Sequence, residues 1–257
     1  MLNSPKKSLG QHFLTSDKIL TDIAEAGEIN PGETILEIGP GRGALTEKLI
    51  TAGGKVVAVE KDRDLIPFLT TKFASAVKTG QLNIVEGDIL DFKPEKELPT
   101  GDYKIIANIP YYLTGQFFRR FLQTKRQPSL IVALVQKEVA DRIIATAGRE
   151  SLLSISVKVY GRAKRLKTVP AGAFHPPPKV DSAIIKITDI NKNYFTDINE
   201  ETFFAIIKQA FGQKRKQLKN NLSVPVKTLA KCGLVSTCRP EELTIKQWQC
   251  LAQKLTD

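Results

Sequence analysis

Long apolar runs are missing from this 257-residue chain. No stretch approaches the roughly 18 uncharged apolar residues that span a bilayer. The N-terminal MLNSPKKSLGQHF lacks the apolar core of a secretory signal, so a cytosolic protein with no membrane partner is expected. Cysteine is scarce. Cys232, Cys238 and Cys250 are too few and too odd in number for a disulfide framework, and they lack the paired C-x-x-C spacing of a zinc site. They read as reduced thiols. Neither His12 nor His175 has a metal-ligand neighbour in the sequence, so no metal is expected. Acids are in deficit as well: 27 Asp+Glu against 38 Lys+Arg leave a net charge of +11, which favours a polyanionic partner such as nucleic acid. Repeats and low-complexity segments are absent, and with 42% apolar residues the chain can bury a substantial core.

Short apolar runs do alternate with amphipathic stretches from Glu33 to Ile187, the pattern of a βαβ-built, mostly parallel sheet with helices on both faces. The expected strands are Thr34–Ile38, Lys55–Glu60, Leu82–Glu86, Tyr103–Ala107, Leu130–Gln136, Ser154–Tyr160 and Ala183–Ile187, rich in Val and Ile as doubly buried strands are. Helical spacing occupies Gly43–Thr51, Arg63–Ala76, Gly115–Gln123 and Lys137–Thr146. After Ile187 the chain becomes strand-poor, with helix-like runs at Glu200–Phe211, Arg215–Leu222, Val226–Cys232 and Glu241–Leu255. Pro240-Glu241-Glu242 suits a helix opening. The expectation is an α/β domain over 1–189 and a small all-helical domain over 190–257.

The first strand runs into Gly39-Pro40-Gly41-Arg42-Gly43-Ala44, a glycine-rich turn that lets backbone N–H groups approach a ligand. Gly39-x-Gly41-x-x-Ala44 also satisfies the dinucleotide fingerprint, and Glu60 closes the second strand about 20 residues on, where an acid holds a ribose. The third strand leads to Glu86-Gly87-Asp88-Ile89, placing Asp88 where it can accept from an adenine amino group or cap the following turn.

Asn108-Ile109-Pro110-Tyr111 follows the fourth strand. Tetrapeptides of this kind at this place mark methyltransferases acting on exocyclic amino nitrogens. The adenine N6 lone pair is delocalised into the ring, and two acceptors beside its N–H bonds favour a more tetrahedral nitrogen. The Asn108 side-chain oxygen and the Pro110 carbonyl can serve, with proline fixing the local φ. Tyr111 offers a flat face for an extruded base.

With these motifs in order, the sequence resembles the KsgA/RsmA-type rRNA adenine N6,N6-dimethyltransferases, relatives of the erythromycin-resistance rRNA methylases and the eukaryotic dimethyladenosine transferases. The resemblance runs nearly end to end. Besides the motifs above it rests on Lys7-Ser8-Leu9-Gly10-Gln11-His12-Phe13-Leu14, Gln136-Lys137-Glu138-Val139-Ala140 and Phe174-His175-Pro176-Pro177-Pro178-Lys179-Val180-Asp181-Ser182. It implies a Rossmann-like domain that binds S-adenosyl-L-methionine (SAM) through His12, Leu14, Gly39, Glu60, Asp88 and Asn108, with Gln11, Gly41 and Ile89 close by. It further implies that Phe174 faces Tyr111 across the target base, so Asn108, Pro110, Tyr111 and Phe174 form the catalytic set. Family members often carry Asn where this chain has His12. His175 reads as structural, because the ammonium formed on methylation loses its proton to water. The substrate implied is a pair of adjacent adenosines in a hairpin loop near the 3′ end of small-subunit rRNA, within a pre-30S-like particle, and a monomeric enzyme is expected.

Basic residues cluster at Lys6-Lys7, at Arg119-Arg120 with Lys125-Arg126, between Lys158 and Lys167 (Arg162, Lys164 and Arg165 among them, with no acid), and at Lys214-Arg215-Lys216 with Lys219. Each alone could be a solvated face; together they suggest phosphate contacts, with the C-terminal segment as the docking surface for rRNA. Two other readings share parts of this pattern. A DNA adenine-N6 methylase would carry a target-recognition domain, which is not visible. A non-catalytic RNA-binding assembly or transcription factor would show a degenerate glycine loop or a lost tetrapeptide, and both motifs are intact.

Overall fold

The computed structural model describes residues 6, 11–213 and 215–256. In chain order, β1 (Phe13–Leu14) and α1 (Asp17–Ala26) precede β2 (Thr34–Ile38), α2 (Ala44–Thr51), β3 (Lys55–Glu60), α3 (Ile66–Lys72), α4 (Ala74–Lys78) and β4 (Leu82–Glu86). Next come α5 (Pro94–Glu97), β5 (Tyr103–Asn108), α6 (Thr114–Gln123), β6 (Leu130–Gln136), α7 (Lys137–Ile143) and α8 (Leu152–Lys158). Then β7 (Arg162–Val169), β8 (Phe174–His175) and β9 (Ser182–Thr188) lead to α9 (Glu200–Ala210), α10 (Leu218–Leu222), α11 (Val226–Lys231) and α12 (Ile245–Thr256). Among the described residues no helix is long and apolar enough to cross a membrane.

Seven strands form one sheet in the order β4-β3-β2-β5-β6-β9-β7, and β1 pairs antiparallel with β8 in a separate ribbon. Neighbours from β4 through β6 are parallel, and β9 is antiparallel to β6. The centre of the sheet is closed to water: Ile35, Ile106, Val132 and Ile185 are fully buried. On α6, Phe117, Phe118, Phe121 and Leu122 are equally buried, the one-sided apolar stripe expected of a helix laid on a core. The chain builds β2, β3 and β4 outward to one edge and returns to β5 on the other side of β2. That reversal opens a crevice at the carboxyl ends of β2 and β5.

The chain divides into two compact units: the described residues up to Ala140 with Lys164–Ile190, and Asp141–Ala163 with the residues from Asn191 on. The second unit is not one contiguous segment, because 141–163 joins the residues from Asn191 on.

One strand was misplaced. Ser154–Tyr160, expected as a strand from its β-branched Ile155 and Val157, lies almost wholly in helix α8, with Val159 as its C-cap and Tyr160 just beyond. Ser151 decides it: its Oγ accepts from Ser154 N (3.2 Å) while Ser154 Oγ accepts from Ser151 N (2.7 Å), a reciprocal cap that starts a helix. The strand follows instead as β7, whose Arg162, Lys164 and Arg165 are exposed at the sheet edge. Long cations on an edge keep another chain from pairing there, and they hide the apolar alternation that marks a strand.

Smaller differences are local. Arg63–Ala76 breaks at Phe73 (φ −111°, ψ 30°). Only Leu218–Leu222 of Arg215–Leu222 is helical, and Pro240–Glu242 forms a 3-10 turn before α12 begins. The cysteines need correcting too: Cys232 and Cys250 are disulfide-bonded, with Cα atoms 5.7 Å apart, and only Cys238 is a free, buried thiol. The spacing rules look for neighbouring cysteines, whereas here one cysteine ends α11 and the other lies on α12.

Gly43 starts α2 with φ +76°, and a Cβ there would lie 2.4 Å from Phe73 Cε2. Gly43→Ala is therefore expected to lower the unfolding free energy by at least ~1–2 kcal/mol, the cost of the left-handed backbone alone. Urea denaturation of parent and variant measures it; equal midpoints would contradict the strain.

Candidate active site

A cavity of about 420 Å³ occupies the crevice, within the range that holds a nucleoside-sized ligand. It lies wholly within the first unit. The structure brings to it every candidate at the cofactor and the amine: Gln11, His12, Leu14, Gly39, Gly41, Glu60, Asp88, Ile89, Asn108, Pro110, Tyr111 and Phe174. The ends of β2, β3 and β5, the turn after β4 and the β1–β8 ribbon supply them.

Glu60 ends β3 and is 5% exposed. Its Oε2 accepts from Gly41 N (3.0 Å) and its Oε1 from Asp62 N (2.8 Å). Burial raises its pKa, and these two amides pull it back. Each oxygen keeps lone-pair capacity for a further donor. Glu37, the penultimate residue of β2, is 1% exposed and its Oε2 has no hydrogen-bond partner among the described residues. Burial pushes it up to about 8; Thr46 beside it opposes the rise and the Glu60 charge adds to it. Two acids thus share one wall, and burial raises the pKa of both, that of Glu37 up to about 8.

Asp62 carries the network to the N-terminal segment. Its carboxylate accepts from Gln11 Nε2 (2.8 Å) and Lys6 Nζ (2.6 Å), and Gln11 Oε1 accepts from Lys6 N (2.7 Å). Of the two roles considered for it, Asp88 performs the cap, and it also makes an ion pair. Oδ1 accepts from Leu90 N (2.9 Å), capping the turn, and Oδ2 pairs with Lys61 Nζ (2.8 Å), the contact that chiefly lowers its pKa. Lys61 was missed by sequence reasoning, although it adjoins Glu60.

At the end of β5, Asn108 Nδ2 donates to the His12 carbonyl (3.5 Å), which leaves Oδ1 available as an acceptor. The Pro110 carbonyl already accepts from Leu113 N (2.9 Å), so one lone pair remains for a ligand. Tyr111, half-buried, opens a 3-10 turn with its hydroxyl 2.7 Å from Ser182 Oγ. The ring stacked beside Tyr111 is His12 (centroids 6.0 Å apart, 26° between planes). Because the Pro176 carbonyl can only accept, His12 Nδ1, 2.8 Å away, carries its proton. Phe174 lines the same cavity but is 4% exposed and paired with Leu14; among the described residues it makes no ring contact with Tyr111.

The order of these parts matches known proteins along the whole chain. A family model described as ribosomal RNA adenine dimethylase matches residues 2–255. The chain belongs to that family. A ribosomal RNA small subunit methyltransferase A from Dehalococcoides mccartyi (strain CBDB1) is 40% identical over 95% of this chain and 86% of its own length. Its counterpart from Deinococcus radiodurans is 42% identical over 85% of this chain and 72% of its own. Among solved structures, a dimethyladenosine transferase from Plasmodium falciparum superposes with a TM-score of 0.82 at 25% identity, covering 95% of this chain and 98% of that one. The fold is also that of 23S rRNA methyltransferase ErmE, with a TM-score of 0.73 at 24% identity over 95% of this chain and all of that one. The α/β methyltransferase fold and the enzyme class expected from the motifs hold for this adenine dimethylase.

The basic residues of the dimethylase divide. Lys7 and Lys214 lie outside the described residues. Lys6 is held by Asp62 and Asp64 (2.6 and 2.7 Å). Arg120 gives one donor to the Phe92 carbonyl (2.8 Å), and Arg126 turns inward onto the carbonyls of Pro94 (2.9 Å) and Gly101 (3.0 Å). Lys158 pairs with Glu150 (2.6 Å) and Lys167 with Asp22. Arg119 Nε donates to Gln123 Oε1 (3.4 Å). The side chains of Arg162, Lys164, Arg165, Arg215 and Lys216 are exposed, and that of Lys219 is half-buried. Among the described residues no group of three or more His, Cys, Asp or Glu could hold a metal ion.

Glu37 yields a pH prediction. Its folded pKa of about 8 stands above the ordinary 4.5, so between those values the folded state keeps a proton that the unfolded chain has released. Stability contributed by this group is therefore present at low pH and falls as pH rises through that window. Glu37→Gln should lose less stability than the parent between pH 5 and pH 8.5 in urea denaturation. Identical pH dependences would show that Glu37 is ionised in the folded protein.

Proposed function

We propose that the protein transfers methyl groups from SAM to N6 of two adjacent adenosines in a hairpin loop near the 3′ end of small-subunit (16S) rRNA, giving N6,N6-dimethyladenosine. It acts in the cytoplasm, as a monomer, on a pre-30S-like particle during small-subunit biogenesis. The observation that carries this reading is that Asn108, Pro110 and Tyr111 share one cavity with the buried Glu60 and with Asp88.

The residues present fit SAM. Glu60 offers spare acceptor capacity for ribose hydroxyls at the end of β3, Asp88 can meet an adenine amine at the cavity wall, and the Gly39–Gly41 backbone leaves the approach open. Gln11, His12, Leu14 and Ile89 would complete the wall around it. When bound, SAM supplies an activated methyl group. Asn108 Oδ1 and the remaining lone pair of the Pro110 carbonyl accept the two N–H bonds of the target amine and orient its lone pair. Tyr111 stacks on the base, while Phe174 closes the cavity from the β8 side. Alignment carries most of the catalysis, because the methyl donor is already reactive. The proton released from the methylated amine leaves to water.

Support for the substrate comes from the family match and from the exposed cations of both units, which suit the phosphates of a structured RNA. The decisive experiment is single-turnover methylation of undermethylated small subunits with tritiated SAM, with mono- and dimethyladenosine quantified by mass spectrometry. Asn108→Ala should slow transfer by about 10²-fold, the scale of losing one preorganised polar partner. A parental rate would refute the role of Asn108, and no product from the parent protein would refute the reading as a whole. In salt titrations, replacing Arg215 and Lys216 by Ala should flatten the log–log slope of RNA affinity and leave SAM affinity intact. An unchanged slope would remove that segment from the RNA footprint.

A further inference from the structure

The hydroxyl of Tyr111 is tied to a residue that no stacking role requires. Ser182, the first residue of β9, is fully buried, and its Oγ lies 2.7 Å from the Tyr111 hydroxyl. A ring that only stacked would need no such partner, and phenylalanine would serve. Tyr111 stands on a 3-10 turn at the end of β5, two strands away from β9 in the sheet, so the bond crosses β6 and fixes a loop residue against a sheet residue. Ser182 itself is held rigidly: it pairs with Gln136 at the end of β6, and the neighbouring Asp181 carbonyl accepts from Lys137 N (2.9 Å). The Asp181 side chain meanwhile accepts from Ala171 N (3.1 Å), at the start of the turn Ala171–Ala173 that delivers Phe174.

We infer that Ser182 is a positioning residue for base methylation: through its hydroxyl it sets the tilt of the Tyr111 ring against the wall that carries Phe174. The inference rests on the dimethylase reading above. It follows from geometry. The target nitrogen must point at the methyl donor within a narrow angle, and the base inherits its plane from the ring beneath it. A tyrosine freed from Ser182 keeps its stacking face but lets that plane rock, and its half-buried hydroxyl is left without a partner. Burial already raises the Tyr111 pKa and the Ser182 bond opposes that rise, so this hydroxyl is neutral and is a structural handle, not a base.

The test is a double-mutant cycle of Ser182→Ala, Tyr111→Phe and the two combined, read as single-turnover methylation of undermethylated small subunits at saturating SAM. SAM affinity and thermal melting are measured on the same samples. Ser182→Ala should slow transfer about three- to tenfold, the scale of one hydrogen bond, with SAM affinity unchanged. Tyr111→Phe should lose a similar factor. The combined variant should be no slower than Ser182→Ala, because removing both partners leaves no orphaned hydroxyl. A merely structural serine would lower the melting temperature while leaving the rate per folded molecule unchanged, or its effect would multiply with that of Tyr111→Phe; either result overturns the inference. An inactive parent would overturn the dimethylase reading and this inference with it, whereas an active parent with a multiplicative cycle overturns this inference alone.

Discussion

One buried carboxylate organises the cofactor side of this protein. Glu60 closes β3 with each oxygen taking a backbone N–H, one from the glycine turn after β2 and one from the chain leaving β3. Glu60 is 5% exposed, and hydrogen bonds shielded from bulk solvent in this way are stronger than exposed ones. The first fixes the turn at Gly41, and the second fixes the exit of β3, so that Asp62 faces the N-terminal segment. There Gln11 and Lys6 bind Asp62, and the residues that follow, His12 to Leu14, are carried onto the cavity. Loss of the Glu60 carboxyl group would loosen three segments that are far apart in the chain. Its neighbour Glu37 is pushed up to about 8 chiefly by its own burial in the wall, with the nearby Glu60 adding to the rise.

The amine side is built differently. It has no ionised group of its own. β5 runs one residue further than its apolar pattern suggests and ends on Asn108, whose amide is turned by the His12 carbonyl. Pro110 begins a 3-10 turn and shares its carbonyl with that turn. Tyr111 is held from the far side by Ser182, and the β1–β8 ribbon joins Phe13 and Leu14 to His175 and Phe174. Every group that would meet the base is thus backbone, amide or ring, each restrained by a second hydrogen bond or a strand pairing. A neutral nucleophile that must only be oriented calls for this kind of surface, since a nearby full charge would add a solvation cost without improving the angle.

How much of this the sequence discloses depends on what each residue reports. Six of the seven expected strands appear within a residue or so, because Val and Ile crowd wherever a strand is buried on both faces. The seventh failed because Ile155 and Val157 carry the same signal on a helix, and only the Ser151–Ser154 cap separates the two. β7 was invisible for the opposite reason: an edge strand of lysine and arginine has no apolar run to find. At the site, the residue types with obligatory chemistry were legible, and all twelve cofactor and amine candidates converge on one cavity. Their partners were not. Lys61 on Asp88, Ser182 on Tyr111 and His12 beside Tyr111 are set by sheet order and side-chain direction, which a linear pattern does not encode. The disulfide escaped for the same reason, since α11 and α12 bring Cys232 to Cys250 only in the folded unit.

The formal charge of +11 overstates what an RNA would meet. Basic clusters read from sequence count every lysine and arginine alike, yet the fold employs several of them internally. Lys6 ties the N-terminal segment to Asp62, Arg126 gathers four backbone carbonyls, Lys158 covers the buried Glu150, and Lys167 joins the edge strand to α1 through Asp22. A cation already satisfied by a carboxylate or by carbonyls has little counterion to release and little reason to leave its partner for a phosphate. Of the clustered cations, those exposed to solvent without such a partner among the described residues include Lys125 after α6, Lys164 on β7, and Arg215 and Lys216 just before α10. If phosphates are bound, the salt dependence of RNA affinity would report the cations left exposed at the surface and not the composition of the chain.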